Sequence, residues 1–223
     1  MTTLASPPTA QDRVHLVTAA IITPLQRDYL DDRPAAVAAL ARLRRGAGKQ
    51  FSQTPDLWGM VDTAALYEEP ADGGRPLREQ ELTRAEDAVH ITLTLWALHQ
   101  QSRPSRMHQP GAEGRPRGLG AAVRQLMPAD EIAEPVRKRF VRLGTAPSLR
   151  ELAERLRGLV LLLRQEDISL DYARLAAELY TWQQPGGRDD VRRAWGRSFQ
   201  AYRPQDDTAP ADNDDQTPDK DAS

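Results

Sequence analysis

Three clusters of basic side chains are the residues of this sequence best suited to binding chemistry. Arginine and lysine neutralise phosphates without reading bases, so clusters of them indicate contact with a nucleic-acid backbone. A solvated surface is the ordinary explanation of any single charged run, and spacing alone does not decide between the two interpretations. The clusters are Arg44, Arg45 and Lys49; Arg103, Arg106, Arg115 and Arg117; and Arg137, Lys138, Arg139 and Arg142.

The charge balance of the whole chain hides a mildly basic body. The sequence has 30 Lys and Arg residues against 32 Asp and Glu residues, which gives a net charge of −2. Residues 204–223 hold seven aspartates and one lysine without periodic apolar positions, which predicts a disordered acidic tail. Residues 1–203 therefore carry 29 basic and 25 acidic residues, a net charge of +4. Such a body is weak support for a polyanionic partner.

For each candidate catalytic or metal-binding arrangement in the sequence, a structural role explains the residues better than a chemical one. The segment RRGAGK has one residue between its glycines and Gln50 after Lys49, whereas a Walker loop needs four residues and then Ser or Thr. His90 and His99 are nine positions apart on one predicted helix and cannot share a metal, and Glu86 with His90 indicates a surface or half-buried pair. The absence of cysteine excludes disulfides and thiolate sites. We therefore expect no enzymatic activity, no metal and no cofactor.

The tryptophans are predicted to be core residues. Each of the four lies on an apolar stripe, where an aromatic side chain contributes a large buried surface. Base stacking is the alternative role for such side chains, and it ranks second here. The four residues are Trp58, Trp96, Trp182 and Trp195.

Helices are predicted throughout the N-terminal part of the chain, and they position its basic and aromatic residues. The first is predicted over Asp12–Leu30, and a second begins at the cap Asp32 and ends before Gly46. One or two short helices are expected in 54–67. A long helix at Arg78–Gln100 is apolar on several sides and is predicted to be the buried centre of an N-terminal bundle. The apolar stripe of the second helix is Val37, Leu40 and Leu43.

The C-terminal part has the clearest helical periodicity. Ser148 with Glu151 three residues later forms a predicted capping box for one helix. A further helix follows the predicted cap Ser169, and another follows the turn at 185–187. The apolar face of the first of these helices consists of Leu149, Leu152, Leu156, Leu159, Val160 and Leu163.

These elements predict an all-α protein with two small helical bundles and short connections. The bundles cover residues 11–128, which include a mobile basic loop at 102–117, and residues 129–203. A disordered arm, 1–10, precedes them, and the disordered acidic tail, 204–223, follows. The N-terminus has no features of a secretory signal, and no apolar run is long enough to span a bilayer. We therefore expect a cytoplasmic protein without a membrane partner.

The chain resembles the CasB family, which provides the small subunit of the type I-E CRISPR Cascade complex. The resemblance covers about Ala35 to Tyr202, and the order of the segments and the total length carry it. The segments are ALARLRRGAGK (39–49), WALHQ (96–100), RGLGAAVRQL (117–126) and the block that runs from RKRFVRL (137–143) to VRRAWGRSFQAY (191–202).

The resemblance implies an all-helical subunit of two small bundles without enzymatic activity. Two copies would pack head to tail in the complex, beside the backbone subunits that hold the crRNA and together with the large subunit. Basic residues would make sequence-independent contacts with the backbones of crRNA and target DNA and help to hold the R-loop. The residues that match this role are Arg44 and Arg45; Arg137, Lys138 and Arg139, with Arg142; and, in the loop, Arg115 and Arg117.

A helical adaptor that binds only protein is the alternative interpretation. The arginines would then form a solubilising surface with no contact to nucleic acid. Retention on heparin or single-stranded DNA that falls with salt would distinguish the two functions.

Overall fold

The computed structural model of the chain describes residues 8–68, 75–112 and 116–202, and these residues form α-helices joined by turns and loops. The helices are α1 (Ala10–Leu30), α2 (Pro34–Leu43), α3 (Glu79–Gln100), α4 (Leu119–Gln125), α5 (Glu134–Gly144), α6 (Leu149–Gln165), α7 (Tyr172–Trp182) and α8 (Gly187–Ala201). Short 3-10 turns connect α2 to α3, at Arg44–Gly46, Phe51–Gln53, Pro55–Leu57 and Ala64–Leu66. The prediction of an all-α fold is confirmed.

The two predicted terminal segments fall largely outside the residues that the structure describes. The acidic tail, 204–223, lies outside them entirely, as do residues 1–7 of the predicted arm. Thr9 caps α1, because its hydroxyl accepts a hydrogen bond from the backbone N–H of Asp12 at 3.2 Å. Ala10 then begins the helix, so the end of the predicted arm is part of α1.

Helix α3 is the centre of the fold. Every residue from Ala88 to Gln100 is buried, and the helix packs against α1, α2, α6 and α7. A helix that is apolar on most of its sides can be stable only when neighbours cover it on most of those sides. The predicted role of this segment as a buried centre is confirmed.

The core runs through both halves of the chain. Helix α1 packs along α7, and α4 packs along α8. Buried residues from both sides of position 128 therefore belong to one hydrophobic cluster. The predicted boundary between an N-terminal and a C-terminal bundle stays a prediction.

The predicted starts of two helices have different outcomes. At α6, the hydroxyl of Ser148 accepts a hydrogen bond from the backbone N–H of Glu151 at 3.2 Å, so the predicted cap is confirmed. At α2, the predicted cap Asp32 is wrong: Asp32 has a φ of 55° in the preceding turn, and Arg33 occupies the N-cap position. Val37 is also displaced from the predicted stripe and is 40% exposed. The buried stripe of α2 is Ala36, Leu40 and Leu43.

The predicted cap of α7 is wrong as well. Asp171 occupies the N-cap position, and its Oδ1 accepts a hydrogen bond from the backbone N–H of Arg174 at 3.0 Å. Ser169, two residues earlier, instead accepts a hydrogen bond from the side chain of Arg117. A carboxylate at the N-cap also interacts favourably with the helix dipole, which explains why the aspartate takes this position.

Several hydrogen bonds hold the described part of the predicted basic loop. The side chain of Gln26 makes two hydrogen bonds to the backbone of His108. Its Oε1 accepts from the His108 N–H at 2.8 Å, and its Nε2 donates to the His108 carbonyl at 3.0 Å. Gln100 Oε1 accepts from the N–H of Met107 at 3.0 Å, and the Met107 carbonyl accepts from the N–H of Leu170 at 3.0 Å. Met107 and His108 are both buried. The predicted mobility of the whole loop stays a prediction, and these contacts argue against it near Met107.

Candidate nucleic-acid interface

The end of α2 presents three basic side chains without partners. Arg44 and Arg45 lie in the 3-10 turn that follows the helix, Lys49 lies in the next loop, and all three are exposed. Their side chains form no ion pair or hydrogen bond with any residue that the structure describes. Gly46 is buried, and a Cβ added to it would lie 2.7 Å from Leu57 Cδ1. The glycine thus lets the turn pack closely on the core while the long basic side chains remain in solvent.

Helix α5 carries another predicted cluster, and half of it is neutralised within the helix. Arg137 makes two hydrogen bonds to Glu134, from Nε to Oε2 at 2.6 Å and from Nη2 to Oε1 at 2.8 Å. Lys138 Nζ lies 3.9 Å from the same carboxylate. The hydrogen bond from Arg137 lowers the pKa of Glu134, so the carboxylate is ionised at neutral pH. Arg139 and Arg142 are exposed, and their side chains have no partner among the described residues.

Helix α6 lies between these two segments. A Cβ added to Gly48 would lie 3.2 Å from Arg157 Cδ and 3.7 Å from Glu154 Cα, so the loop after α2 packs on α6 at these residues. The side chain of Arg155 donates a hydrogen bond to the carbonyl of Arg142, which ties α5 to α6. In a helix with 3.6 residues per turn, positions 154 and 157 lie on a different side from position 155. The two basic segments therefore border α6 from different sides.

Arg157 is a candidate site residue that the sequence did not reveal. It is exposed and lies beside Gly48, and its guanidinium has no ion pair or hydrogen bond within the described ranges. Other arginines of α6 are paired along the helix, as Arg150 is with Glu154 at 3.3 Å. No sequence signal could have identified Arg157, because its position beside Gly48 depends on tertiary packing.

Within the predicted loop cluster, Arg106 is the one exposed side chain without a partner among the described residues. Arg115 lies outside them, in the undescribed segment 113–115. The side chain of Arg117 is half-buried and donates a hydrogen bond to Ser169. Arg103 pairs with Asp167, at 3.0 Å from Nη1 to each carboxylate oxygen. The contacts of Arg117 and Arg103 thus serve to hold the loop against the connection between α6 and α7.

The prediction that all four tryptophans are core residues is wrong for Trp58. Trp96, Trp182 and Trp195 are buried, but Trp58 is 53% exposed. Its ring stacks on Phe51 with a centroid separation of 5.4 Å, and its Nε1 donates to the Phe51 carbonyl at 3.0 Å. An aromatic pair of a half-buried phenylalanine and an exposed tryptophan therefore begins two residues after Lys49 in the chain.

Glu86 and His90 do not form the predicted pair with each other. His90 Nε2 lies 3.0 Å from Thr54 Oγ1, and Glu86 Oε1 accepts a hydrogen bond from the Tyr67 hydroxyl at 2.8 Å. Burial lowers the pKa of His90 to about 4, so its imidazole is neutral at pH 7. Within the described ranges, no group of three or more His, Asp or Glu side chains could hold a metal ion. No helix in those ranges is both long and apolar enough to cross a membrane.

The sequence matches a known family over most of its length. Residues 39–199 match the sequence model of a family described as CRISPR-associated protein Cse2, and this span includes both basic segments that border α6. The chain belongs to the Cse2 family. The resemblance to the CasB family that the sequence indicated is confirmed.

Solved structures share the fold of this Cse2-family chain. CasB from Thermobifida fusca is 47% identical, with a TM-score of 0.74 over 85% of this chain and 98% of that one. A chain of a CRISPR RNA-guided surveillance complex is 20% identical, with a TM-score of 0.58 over 84% and 93% of the two chains. CasB from M. ruber is 22% identical, with a TM-score of 0.54 over 87% and 94%. The last two show the fold alone, and no curated protein matches the chain.

The geometry of this Cse2-family chain is suited to binding phosphates. An exposed, unpaired guanidinium can donate two parallel hydrogen bonds to one phosphate, which a paired one can do only after its partner leaves. The unpaired cations that border α6 are Arg44, Arg45, Lys49, Arg139, Arg142 and Arg157, where unpaired means without a partner among the described residues. A surface of this kind attracts a strand through charge and does not select its sequence.

Proposed function

We propose that this chain is the non-catalytic small subunit of a type I-E CRISPR RNA-guided surveillance complex, Cascade. In this role it contacts the nucleic-acid backbone and stabilises the R-loop during antiviral defence in the cytoplasm. The observation that carries the proposal is the set of unpaired cations on two sides of α6 in a chain of the Cse2 family. In the alternative, an adaptor without nucleic-acid contact, these unpaired arginines would form only a solubilising surface.

The physical basis of the proposed role is charge neutralisation. Pairing between guide and target reads the sequence, so a subunit of this kind needs no contacts with base edges. The RNA–DNA duplex of an R-loop is about as stable as the DNA duplex that it replaces, so modest protein contacts can shift the balance. Each phosphate that a cation neutralises releases counterions, which makes such binding sensitive to salt.

The partners of the proposed subunit follow from the same role. They are crRNA and target DNA, held through their backbones, and the other Cascade proteins, including the crRNA-binding backbone subunits, the large subunit and a second copy of this chain. The likeness to a chain of a CRISPR RNA-guided surveillance complex supports this set through the fold. The assignment of Arg44, Arg45, Lys49, Arg115, Arg117, Arg137, Lys138, Arg139 and Arg142 to nucleic-acid binding stays part of the proposal.

The test removes the three unpaired cations after α2. The variant R44A/R45A/K49A is assembled with co-expressed crRNA and the other subunits, and its affinity for target DNA is measured as a function of salt. We expect weaker binding by about the same factor for every matched target, because phosphate contacts carry no base information. The slope of log affinity against log salt should fall by roughly 0.7–0.9 for each phosphate that the variant no longer neutralises.

A variant from which the same charge is removed serves as the control. Arg27, Arg33 and Arg193 are exposed and are already paired with Asp28, Asp28 and Asp190 respectively. The variant R27A/R33A/R193A should bind target DNA with nearly the wild-type salt slope. If R44A/R45A/K49A assembles normally and keeps the wild-type affinity and slope, the adaptor function is the better conclusion.

A further inference from the structure

An apolar cavity lies beside the exposed Trp58. Its volume is about 330 Å³, which is at the lower end of the range of small-ligand pockets, about 300–1,000 Å³. The interior is lined mainly by aliphatic side chains from α2, α3 and the 3-10 turns between them, which are Leu43, Leu57, Val61, Leu66, Val89 and Leu93. Gly59 also lines the cavity, and a Cβ added to it would meet no described atom within 4 Å. The lining residues that are exposed are Trp58, Gly59 and Tyr67, so the cavity is accessible to solvent on their side.

The basic turn after α2 is connected to one buried wall of the cavity. Leu43, the last residue of α2, lines the cavity and directly precedes Arg44. A Cβ added to Gly46 would lie 2.7 Å from Leu57 Cδ1 and 3.4 Å from His90 Nε2, and both of these residues line the cavity. Phe51, which stacks on Trp58, also lines the cavity and follows Lys49 by two positions, so lining residues flank the unpaired cations on both sides in the chain.

Two polar side chains that line the cavity, Glu86 and His90, already have hydrogen-bond partners. The Glu86 carboxylate accepts a hydrogen bond from the Tyr67 hydroxyl at 2.8 Å, and Tyr67 is 52% exposed. His90 is neutral at pH 7 and is held by Thr54 at 3.0 Å. A carboxylate can accept hydrogen bonds from the ring N–H or amino groups of a base, whereas it would repel a phosphate. The phosphate side of a ligand therefore belongs at the basic turn and its base side at the cavity.

We infer that this cavity receives an unstacked base of a single-stranded nucleic acid whose phosphates lie on Arg44, Arg45 and Lys49. The inference rests on the proposed function, since it requires a strand on the basic turn. A nucleotide combines a flat ring with an anionic phosphate in one unit, which matches an aromatic platform beside unpaired cations. An apolar peptide segment would match the cavity but would leave these cations without a counter-charge. Stacking of bases on aromatic side chains is tolerant of sequence, because every base has a π-face.

The experiment compares two single-stranded ligands on the full chain. One is a short oligothymidylate, and the other is an abasic oligonucleotide with the same number of phosphates. We expect Trp58→Ala to weaken oligothymidylate binding by roughly 5- to 150-fold, the range that corresponds to the removal of one stacked base. Binding of the abasic ligand should not change. The variant R44A/R45A should weaken the binding of both ligands.

Two further variants exclude a general effect on folding. Trp58→Phe keeps an aromatic face and should retain most of the affinity for oligothymidylate. Leu16→Ala removes an apolar side chain that is 58% exposed but does not line the cavity, and it should change neither affinity. Among the four tryptophans, Trp58 is the exposed one, so oligothymidylate should also protect the fluorescence of wild-type protein from acrylamide quenching.

The outcomes separate this inference from the proposed function. If wild-type protein binds neither ligand, both fail. If it binds both ligands and Trp58→Ala affects them equally or not at all, the base site is wrong and the backbone role is retained. If Trp58→Ala leaves oligothymidylate binding intact but abolishes co-purification with the other Cascade proteins, the cavity binds protein and the inference is overturned.

Discussion

The two basic segments that border α6 have similar formal charge and different surroundings. The segment after α2 contributes Arg44, Arg45 and Lys49, and no acid lies between positions 33 and 55. The segment in α5 follows Glu134, which lies three and four positions before Arg137 and Lys138. A glutamate in the first turn of a helix is favoured by the helix dipole, and an acid placed before a base at this spacing forms an ion pair. The availability of a cation therefore depends on the nearest acid on its own helix face more than on the count of charges.

The largest expected difference is between two variants that remove the same formal charge, R44A/R45A/K49A and R137A/K138A/R139A. In the assembled complex, the first should lower the salt slope of target DNA binding by roughly 2–3, at 0.7–0.9 for each of three phosphates. The second should lower it by only about 1, because Arg139 is the one cation among its three residues without a described partner. An equal decrease in slope would mean that the Glu134 ion pairs open freely when a phosphate approaches. The two segments would then not differ in the number of cations available to phosphate.

The parts of the fold that local signals determine could be predicted from the sequence. The start of α6 follows from Ser148 and Glu151, whose hydrogen bond involves residues three apart. The buried course of α3 follows from its apolar residues on several sides. The ion pairs of Glu134 could also be predicted, since the spacing from Glu134 to Arg137 and Lys138 is visible in the sequence. A net charge counted over a longer segment does not show such local pairs.

The remaining features depend on tertiary structure or on irregular backbone. Trp58 lies among 3-10 turns, where the 3.6-residue period that predicts burial in an α-helix does not apply. The position of α6 between the basic segments depends on packing between residues far apart in sequence, such as Gly48 and Arg157. Asp171 rather than Ser169 caps α7, and Ser169 accepts a hydrogen bond from Arg117 in another part of the chain. No local pattern contains this information.

A smaller effect should follow from the substitution Gly46→Val, which changes the backbone position of the first segment without changing its charge. A Cβ at Gly46 would lie 2.7 Å from Leu57 Cδ1 and 2.9 Å from Thr94 Cγ2, so the valine overpacks the core. Overpacking typically costs about 1–3 kcal/mol of unfolding free energy, which chemical denaturation measures. Because the turn must shift, target DNA binding should also weaken although every cation is present.

Gly158→Ala is the matched control for that substitution. Gly158 lies in α6, and a Cβ added to it would meet no described atom within 4 Å. Alanine there should raise the unfolding free energy by roughly 0.5–1 kcal/mol, because it is the better helix former. If Gly46→Val leaves both stability and DNA affinity at the wild-type values, the basic side chains do not depend on the close packing of this turn.

The smallest effect should come from Glu134→Gln. This substitution leaves the cations of α5 without an acidic partner, as the cations after α2 already are. The substitution removes the carboxylate that pairs with Arg137 and Lys138, so both cations become available to phosphate. Target DNA binding by the assembled complex should tighten slightly, and the salt slope should steepen by up to roughly 0.7–0.9 for each additional phosphate that is neutralised. Glu131→Gln removes the same charge from a nearby exposed acid that has no ion pair among the described residues, and it should have less effect.

The pH dependence of stability tests the same ion pairs independently of DNA. The hydrogen bond from Arg137 lowers the pKa of Glu134 below its ordinary value of 4.5. A carboxylate with a lowered folded-state pKa stabilises the fold fully above its unfolded-state pKa, and this contribution disappears as the pH falls through the folded-state value. The thermal midpoint of wild type should therefore exceed that of Glu134→Gln slightly at pH 7, and the two should converge as the pH falls below 4.5. A difference that persists unchanged in acid would mean that the glutamine perturbs α5 by another route, and the contrast between the two basic segments would then need an explanation other than these ion pairs.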